Sequence, residues 1–349
     1  MNMEKVIYAL VAVLAIVGCK QKENVVTIGV ISPMTGAGAA CSAYWVNGFN
    51  MAIDHLNQAS DGIKYEIQFE DCQSNPAEAV NCYKRLELKG IKHFVAVGGQ
   101  FAMAVAPLTK GKDVVLFTTA DYNEAILKES DRAIRLYPSG ATLASTSADY
   151  MINELNAKKI AVVTINSVAN LLMSQMFVKD AEALGASIVY NDTYAIGQSD
   201  FKDMVTKMSP LQIDAVLLTG FGNSPGAFCN QFATIGKFQN AAIVGDVNLY
   251  TEDFIASMKN NPLKVYYSDS KLSAEFDQKY REIYGTESNS LSSCAYVIPF
   301  LFKDAIASSD VIAEQYAFLK GKTFDTAVGE IKIDANGNAE LPMSTYQLK

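Results

Sequence analysis

Gly222-Asn223-Ser224-Pro225-Gly226 has the G-x-S-x-G spacing of a nucleophile elbow, a strand-to-helix turn that exposes a serine to a histidine base. The chemistry does not close. The elbow takes an oxyanion donor from the backbone N–H of the residue after the serine, and Pro225 has none. The two histidines, His55 and His93, both precede the serine, whereas the elbow's triad places its histidine after it. They fall on an expected helix and at the start of an expected strand, as surface or boundary residues. A serine hydrolase is therefore the remote alternative. The chain is read as a non-enzyme that needs no cofactor.

Metal and nucleotide chemistry fare no better. Cys72 and Cys82 lack the second pair that a zinc site of that spacing requires, and no two histidines share a helix face, so no metal site is expected. Cys72 and Cys82 flank a strand-to-helix turn and are either a disulfide pair or buried free thiols; the sequence leaves both open. Gly321-Lys322-Thr323 is only the end of a phosphate-loop pattern. Asp334-Ala335-Asn336-Gly337-Asn338 has its glycine two positions early for a calcium loop and is read as a β-turn between short strands.

Residues 6–17 form a run of twelve without a charge. Crossing a bilayer takes about 20 apolar residues, whereas about 7–15 suits the core of a secretory signal. The run ends Ile16-Val17-Gly18-Cys19, which resembles the lipobox of bacterial lipoproteins, whose cysteine is diacylated before the signal is cut in front of it. The expectation is a signal peptide over 1–18, a lipid on Cys19, a polar tether over 19–23, and a body on the periplasmic or cell-surface side of a membrane. No later segment is expected to reach spanning length.

The body is long enough for two domains, since removing residues 1–18 leaves 331 of 349. A net charge of -8 without a basic run excludes nucleic acid as a partner. Apolar runs and helix-length segments alternate. Residues 25–31 predict a strand, 43–59 a helix, 64–70 an edge strand, and Asn75-Pro76 opens a helix as cap and first residue. Strands are predicted at 94–97 and 114–117, and a second series at 159–164, 187–189, 214–218 and 241–244. Apolar strands separated by helices indicate parallel sheets covered on both faces, hence two α/β lobes.

The order of several strings is similar to that of the branched-chain amino-acid binding proteins, the type I periplasmic binding proteins of ABC importers. They are Ile28-Gly-Val-Ile-Ser-Pro-Met-Thr-Gly36, Glu70-Asp-Cys-Gln-Ser-Asn-Pro-Ala-Glu-Ala-Val80, Asp214-Ala-Val-Leu-Leu-Thr-Gly-Phe-Gly222, Gly245-Asp246, and Leu341-Pro-Met-Ser-Thr-Tyr-Gln347. The resemblance covers nearly all of residues 24–349. It implies two Rossmann-like lobes with parallel sheets joined by a three-segment hinge: 24–142 plus 267–325 as the first lobe, 143–266 plus 326–349 as the second. It also implies a small solute, an amino acid or related amide or aromatic compound, held between the lobes, and membrane permease subunits as partners. A sensory binding module on the same fold would read identically.

By the same resemblance the ligand contacts are Cys41, Gln100, Ala102, Met103, Thr118, Thr119, Tyr122, Phe221 and Asp246. The sequence departs from the family where a carboxylate would be gripped: Ala102-Met103-Ala104 replaces a run of serines, Asp121-Tyr122 a small residue and a threonine, and Cys41 a tryptophan. Either Gln100, Thr118, Thr119 or backbone N–H groups supply the donors, or the ligand is not an α-amino acid. Asp246 is expected to pair with a ligand cation or to serve in a loop or cap. Tyr122 and Phe221 are expected to sandwich an apolar group or to pack between the lobes, and Trp45 to pack in the core.

Overall fold

A computed structural model describes residues 24–59, 62–270 and 273–348, so the expected signal peptide, the expected lipidation at Cys19 and the expected tether lie outside the described residues. Five parallel strands form the body of the first sheet: β1 (Asn24–Ser32), β2 (Ile63–Asp71), β3 (His93–Val97), β4 (Val115–Thr119) and β5 (Ala133–Leu136). All five residues of β3 and of β4 are buried, as strands covered on both faces must be. Successive side chains point to opposite faces. Thus Val95 and Val97 join the core under α1 (Ser42–Ala59), while Phe94 and Ala96 meet α2 (Pro76–Leu88) and α3 (Gly99–Val105). Asn75 caps α2 as its type and position suggest, its Oδ1 accepting the Ala77 N–H at 2.8 Å.

The second sheet repeats the scheme with parallel strands β6 (Lys159–Ile165), β7 (Ser187–Tyr194), β8 (Ala215–Thr219), β9 (Ala242–Asp246) and β10 (Lys264–Ser270). Helices α4 (Gly140–Asp149) and α5 (Val168–Ala183) cover one face, and α6 (Ser224–Phe232) helps to cover the other.

The chain crosses between the sheets three times: after β5, after β10, and before the last strand. The division differs from the expected one at two places. β10 pairs with β9 through Ser268 and with β14 (Met343–Gln347) through Ser270, so the second crossing follows 270 rather than 266. Residues 326–340, expected in the second lobe, carry β12 (Gly329–Ile333) and β13 (Asn338–Glu340), which extend the first sheet together with β11 (Lys322–Thr326). The physical reason lies at β5. Asn338 stands opposite Arg135, and its Oδ1 accepts the Nε–H of that fully buried guanidinium at 2.7 Å. A charge taken out of water needs such partners. The turn at 334–338 is held by Asp334 Oδ1, which accepts the N–H groups of Asn336 and Asn338.

One expectation about membranes also changes. The helix α7 (Ser290–Ser308) is long and apolar enough to cross a bilayer, but 72% of that stretch is buried in the protein, packed on α1 and the first sheet. Gly48 permits the contact, since a Cβ there would stand 2.2 Å from the carbonyl oxygen of Ser292. Cys72 and Cys82 are buried free thiols rather than a disulfide, and burial pushes them up to about 12 and about 11.

Candidate ligand cleft

The carboxyl ends of the parallel strands converge on a cleft of about 640 Å³ between the lobes. Loops after these strands are where open α/β sheets gather ligands. From the first lobe come Pro33 after β1, Ser74 after β2, Gly98 to Gln100 after β3, Ala120 to Asn123 after β4, and Tyr137 after β5. From the second come Asn166 to Leu171 after β6, Ile196 after β7, Phe221 after β8, and Asn248 after β9. Every parallel strand from β1 to β9 thus supplies a residue. The volume suits a small organic molecule.

Of the nine contacts expected from the sequence, Cys41, Gln100, Met103, Tyr122 and Phe221 line the cleft. Four do not. Ala102 turns inward with Val105 against the sheet, leaving Gln100, Phe101 and Met103 to border the cleft from α3. Thr118 and Thr119 are buried within β4, before the loop begins. Asp246 is buried behind Tyr122, with both oxygens occupied: Oδ2 accepts the Tyr122 hydroxyl at 3.0 Å, and Oδ1 accepts the N–H and the Nδ2–H of Asn248, each at 2.9 Å.

The Tyr122–Asp246 bond joins the two lobes. So do Cys41, whose thiol donates to Asn248 Oδ1 at 3.4 Å, and Tyr44, whose hydroxyl donates to the Tyr250 carbonyl at 3.4 Å. Burial, reinforced by Asp246, pushes the Cys41 thiol up to about 12 and the Tyr122 hydroxyl well above its ordinary range, so both stay neutral donors. Near the second crossing, Asp269 Oδ2 accepts the N–H of Ser290, the first residue of α7. A carboxylate suits that end of a helix. Burial nonetheless raises Asp269 to about 6.

Among the lining residues not read as contacts from the sequence, two bear most on the chemistry of the cleft. Trp45 is buried in the first core and also borders the cleft, where its indole Nε1 has no hydrogen-bond partner among the described residues. Its position one helical turn after Cys41, on the same face of the chain, was the signal that could have found it. Asp121 is the second. Its Oδ1 accepts the Asn123 N–H at 2.8 Å, and its Oδ2 has no partner among the described residues. Burial raises it to about 6 against the opposing pull of the Asn123 N–H and the Arg135 charge. Gly99 makes room for it, since a Cβ there would lie 2.4 Å from Asp121 Oδ1.

The elbow serine does not meet a base. Ser224 opens α6 in the second lobe, whereas both histidines lie in the first, His55 Nδ1 against the Tyr296 hydroxyl and His93 Nε2 against Gln315 Oε1, each at 2.8 Å.

The model of the periplasmic binding protein family matches residues 25–349. A Leu/Ile/Val-binding protein homolog of Brucella melitensis is 24% identical over 331 residues, covering 91% of this chain and 89% of its own. Among solved structures, the branched-chain amino acid transporter substrate-binding protein of Streptococcus pneumoniae, in complex with isoleucine, superposes with a TM-score of 0.83 at 23% identity, covering 93% of this chain and 96% of that one. A solute-binding protein of an ABC transporter from Rhodopseudomonas palustris, in complex with 3,4-dihydroxybenzoic acid, gives a TM-score of 0.83 at 21% identity, with 93% of each chain covered. The two-lobed fold is that of these proteins.

Proposed function

The chain belongs to the periplasmic binding protein family, and on that premise we propose that it is the lipid-anchored solute receptor of an ABC importer. It captures a small organic molecule in the cleft between its lobes, outside the cytoplasm, and presents it to permease subunits in the membrane. The observation that carries this reading is the cleft itself, a cavity bordered by both lobes and bridged by the Tyr122–Asp246 bond. A bridge of that kind exists only when the lobes are together, so a solute that fills the cavity adds its contacts to the closed form alone. Closure then shifts by the ligand's differential affinity for that form. The relatives support the solute class only broadly, one being named for leucine, isoleucine and valine and another holding an aromatic acid.

The lipid on Cys19 keeps the receptor near its permease. Metabolic labelling with a radioactive fatty acid tests it: the wild-type chain is expected to carry label and Cys19→Ala to lose it, and equal labelling would contradict the anchor. The receptor reading is tested by native mass spectrometry and thermal melting of the full chain against amino acids, amides, amines and aromatic acids. A ligand at about 100 times its Kd adds roughly 2.7 kcal/mol to a fold that binds it only when native. A retained small molecule or a raised midpoint is expected. The absence of both across the panel would overturn the reading.

A further inference from the structure

The cleft has an uneven charge. Among the described residues that line it there is no lysine or arginine, and Asp121 is the only carboxylate. Asp246 and Asp269 lie buried behind the lining, adding negative field, and the Arg135 guanidinium is the opposing buried charge. A ligand carboxylate would enter this field with only neutral donors such as Gln100 and Ser74 to meet it, and an ion taken out of water without an opposite charge recovers less of its desolvation cost.

Three buried polar atoms in the same cleft have no partner among the described residues: Asp121 Oδ2 and Asn170 Oδ1, both acceptors, and Trp45 Nε1, a donor. Asp121 is 1% exposed and Trp45 4%, so water from outside does not compensate them freely. The surrounding wall is aromatic, with Tyr122 and Tyr137 rings 5.3 Å apart and Phe221 facing from the other lobe. Aromatic faces attract organic cations, and a carboxylate forms its strongest hydrogen bonds with a charged N–H.

Resting on the receptor reading above, we propose that the ligand is a small organic cation, a protonated amine or amidine on an apolar or aromatic frame that also carries a neutral acceptor. Its N–H group donates to Asp121 Oδ2, and its acceptor receives the Trp45 indole N–H. Gly99 belongs to this site, because a side chain there would displace the Asp121 carboxylate.

The test is titration calorimetry of the full chain with pairs that share a frame: benzamidine against benzoate, and tyramine against 3-(4-hydroxyphenyl)propanoate, with leucine as reference. At least one cation is expected to bind at least tenfold tighter than its carboxylate partner. Asp121→Asn is expected to weaken that cation tenfold or more with its melting midpoint kept or raised, since it removes an unpaired buried charge. Trp45→Phe is expected to weaken tyramine by severalfold and benzamidine, which lacks a neutral acceptor, by less. Tighter binding of the carboxylates or of leucine would overturn the cation assignment and leave the receptor reading standing. Cation binding that Asp121→Asn does not change, in a variant that melts as the wild type does, would overturn the role of Asp121. If none of the five compounds binds, the cation proposal falls, and the receptor reading falls with it only if native mass spectrometry also finds no retained solute.

Discussion

The ends of β4 and β9 are built alike and used differently. Each delivers an aspartate followed two residues later by an asparagine, Asp121-Tyr122-Asn123 in the first lobe and Asp246-Val247-Asn248 in the second, and in each the aspartate Oδ1 accepts the asparagine N–H, at 2.8 and 2.9 Å. Both carboxyl groups are buried, and burial raises both from their ordinary value. They differ at Oδ2. On Asp246 it takes the Tyr122 hydroxyl from the opposite lobe, whereas on Asp121 it faces no donor among the described residues. One turn is therefore a latch between lobes, and the other is left open for a ligand. The same local geometry yields two functions because a single side chain, Tyr122, crosses the cleft in one direction only.

Two glycines, Gly245 just before Asp246 and Gly99 packed against Asp121, offer the sharpest way to break this comparison. A Cβ on Gly245 would stand 2.4 Å from the carbonyl oxygen of Leu218, and backbone cannot move aside cheaply. Gly245→Ala is therefore expected to cost about 3 kcal/mol, the upper part of the overpacking range, visible in chemical denaturation. A cost under about 1 kcal/mol would show that β9 relaxes freely.

Tyr122→Phe removes the latch alone. It leaves Asp246 Oδ2 without its donor, a loss of about 1–3 kcal/mol that falls on the closed form. Small-angle scattering is expected to show a larger radius of gyration than wild type without ligand. An unchanged radius would mean that the lobes are held by other contacts.

Gly99→Ala acts at the open turn. The clash is with the Asp121 side chain, which can rotate, so a stability loss of about 1 kcal/mol is expected together with weakened ligand binding. Normal binding in this variant would remove Asp121 from the site.

The smallest effect is a pH slope. Asp121 and Asp269 are raised from 3.8 to about 6 by burial, so between those values the folded chain keeps protons that the unfolded chain gives up. Their stabilising contribution is complete below about pH 4 and declines as pH rises through about 6. The melting midpoint of Asp121→Asn is accordingly expected to gain on wild type between pH 5 and 7. A constant difference across that range would contradict the raised value.

Much of the fold was legible because it is written in local patterns. Asn75-Pro76 announces the start of α2, and the apolar runs at β3, β4, β6 and β8 mark strands buried on both faces. A wholly apolar strand carries no alternation, however, so nothing in Thr118-Thr119 shows that both hydroxyls stay inside the sheet. Likewise α7 has the composition of a membrane span, and only its packing on α1 at Gly48 shows a core helix. The Asp-x-Asn pattern is visible at both strand ends. That Tyr122 fills one and not the other is a tertiary fact, as is the pairing of β13 with β5 around Arg135.

The chain's one tryptophan lies at the cleft, so its emission reports the central claim directly. Titration of the full chain with the solutes named above, amines and amidines first, is expected to give a saturable change in Trp45 emission with at least one of them, lost or weakened tenfold in Asp121→Asn. Emission that no solute alters, from a protein that also releases no small molecule when unfolded, would contradict a ligand-binding cleft.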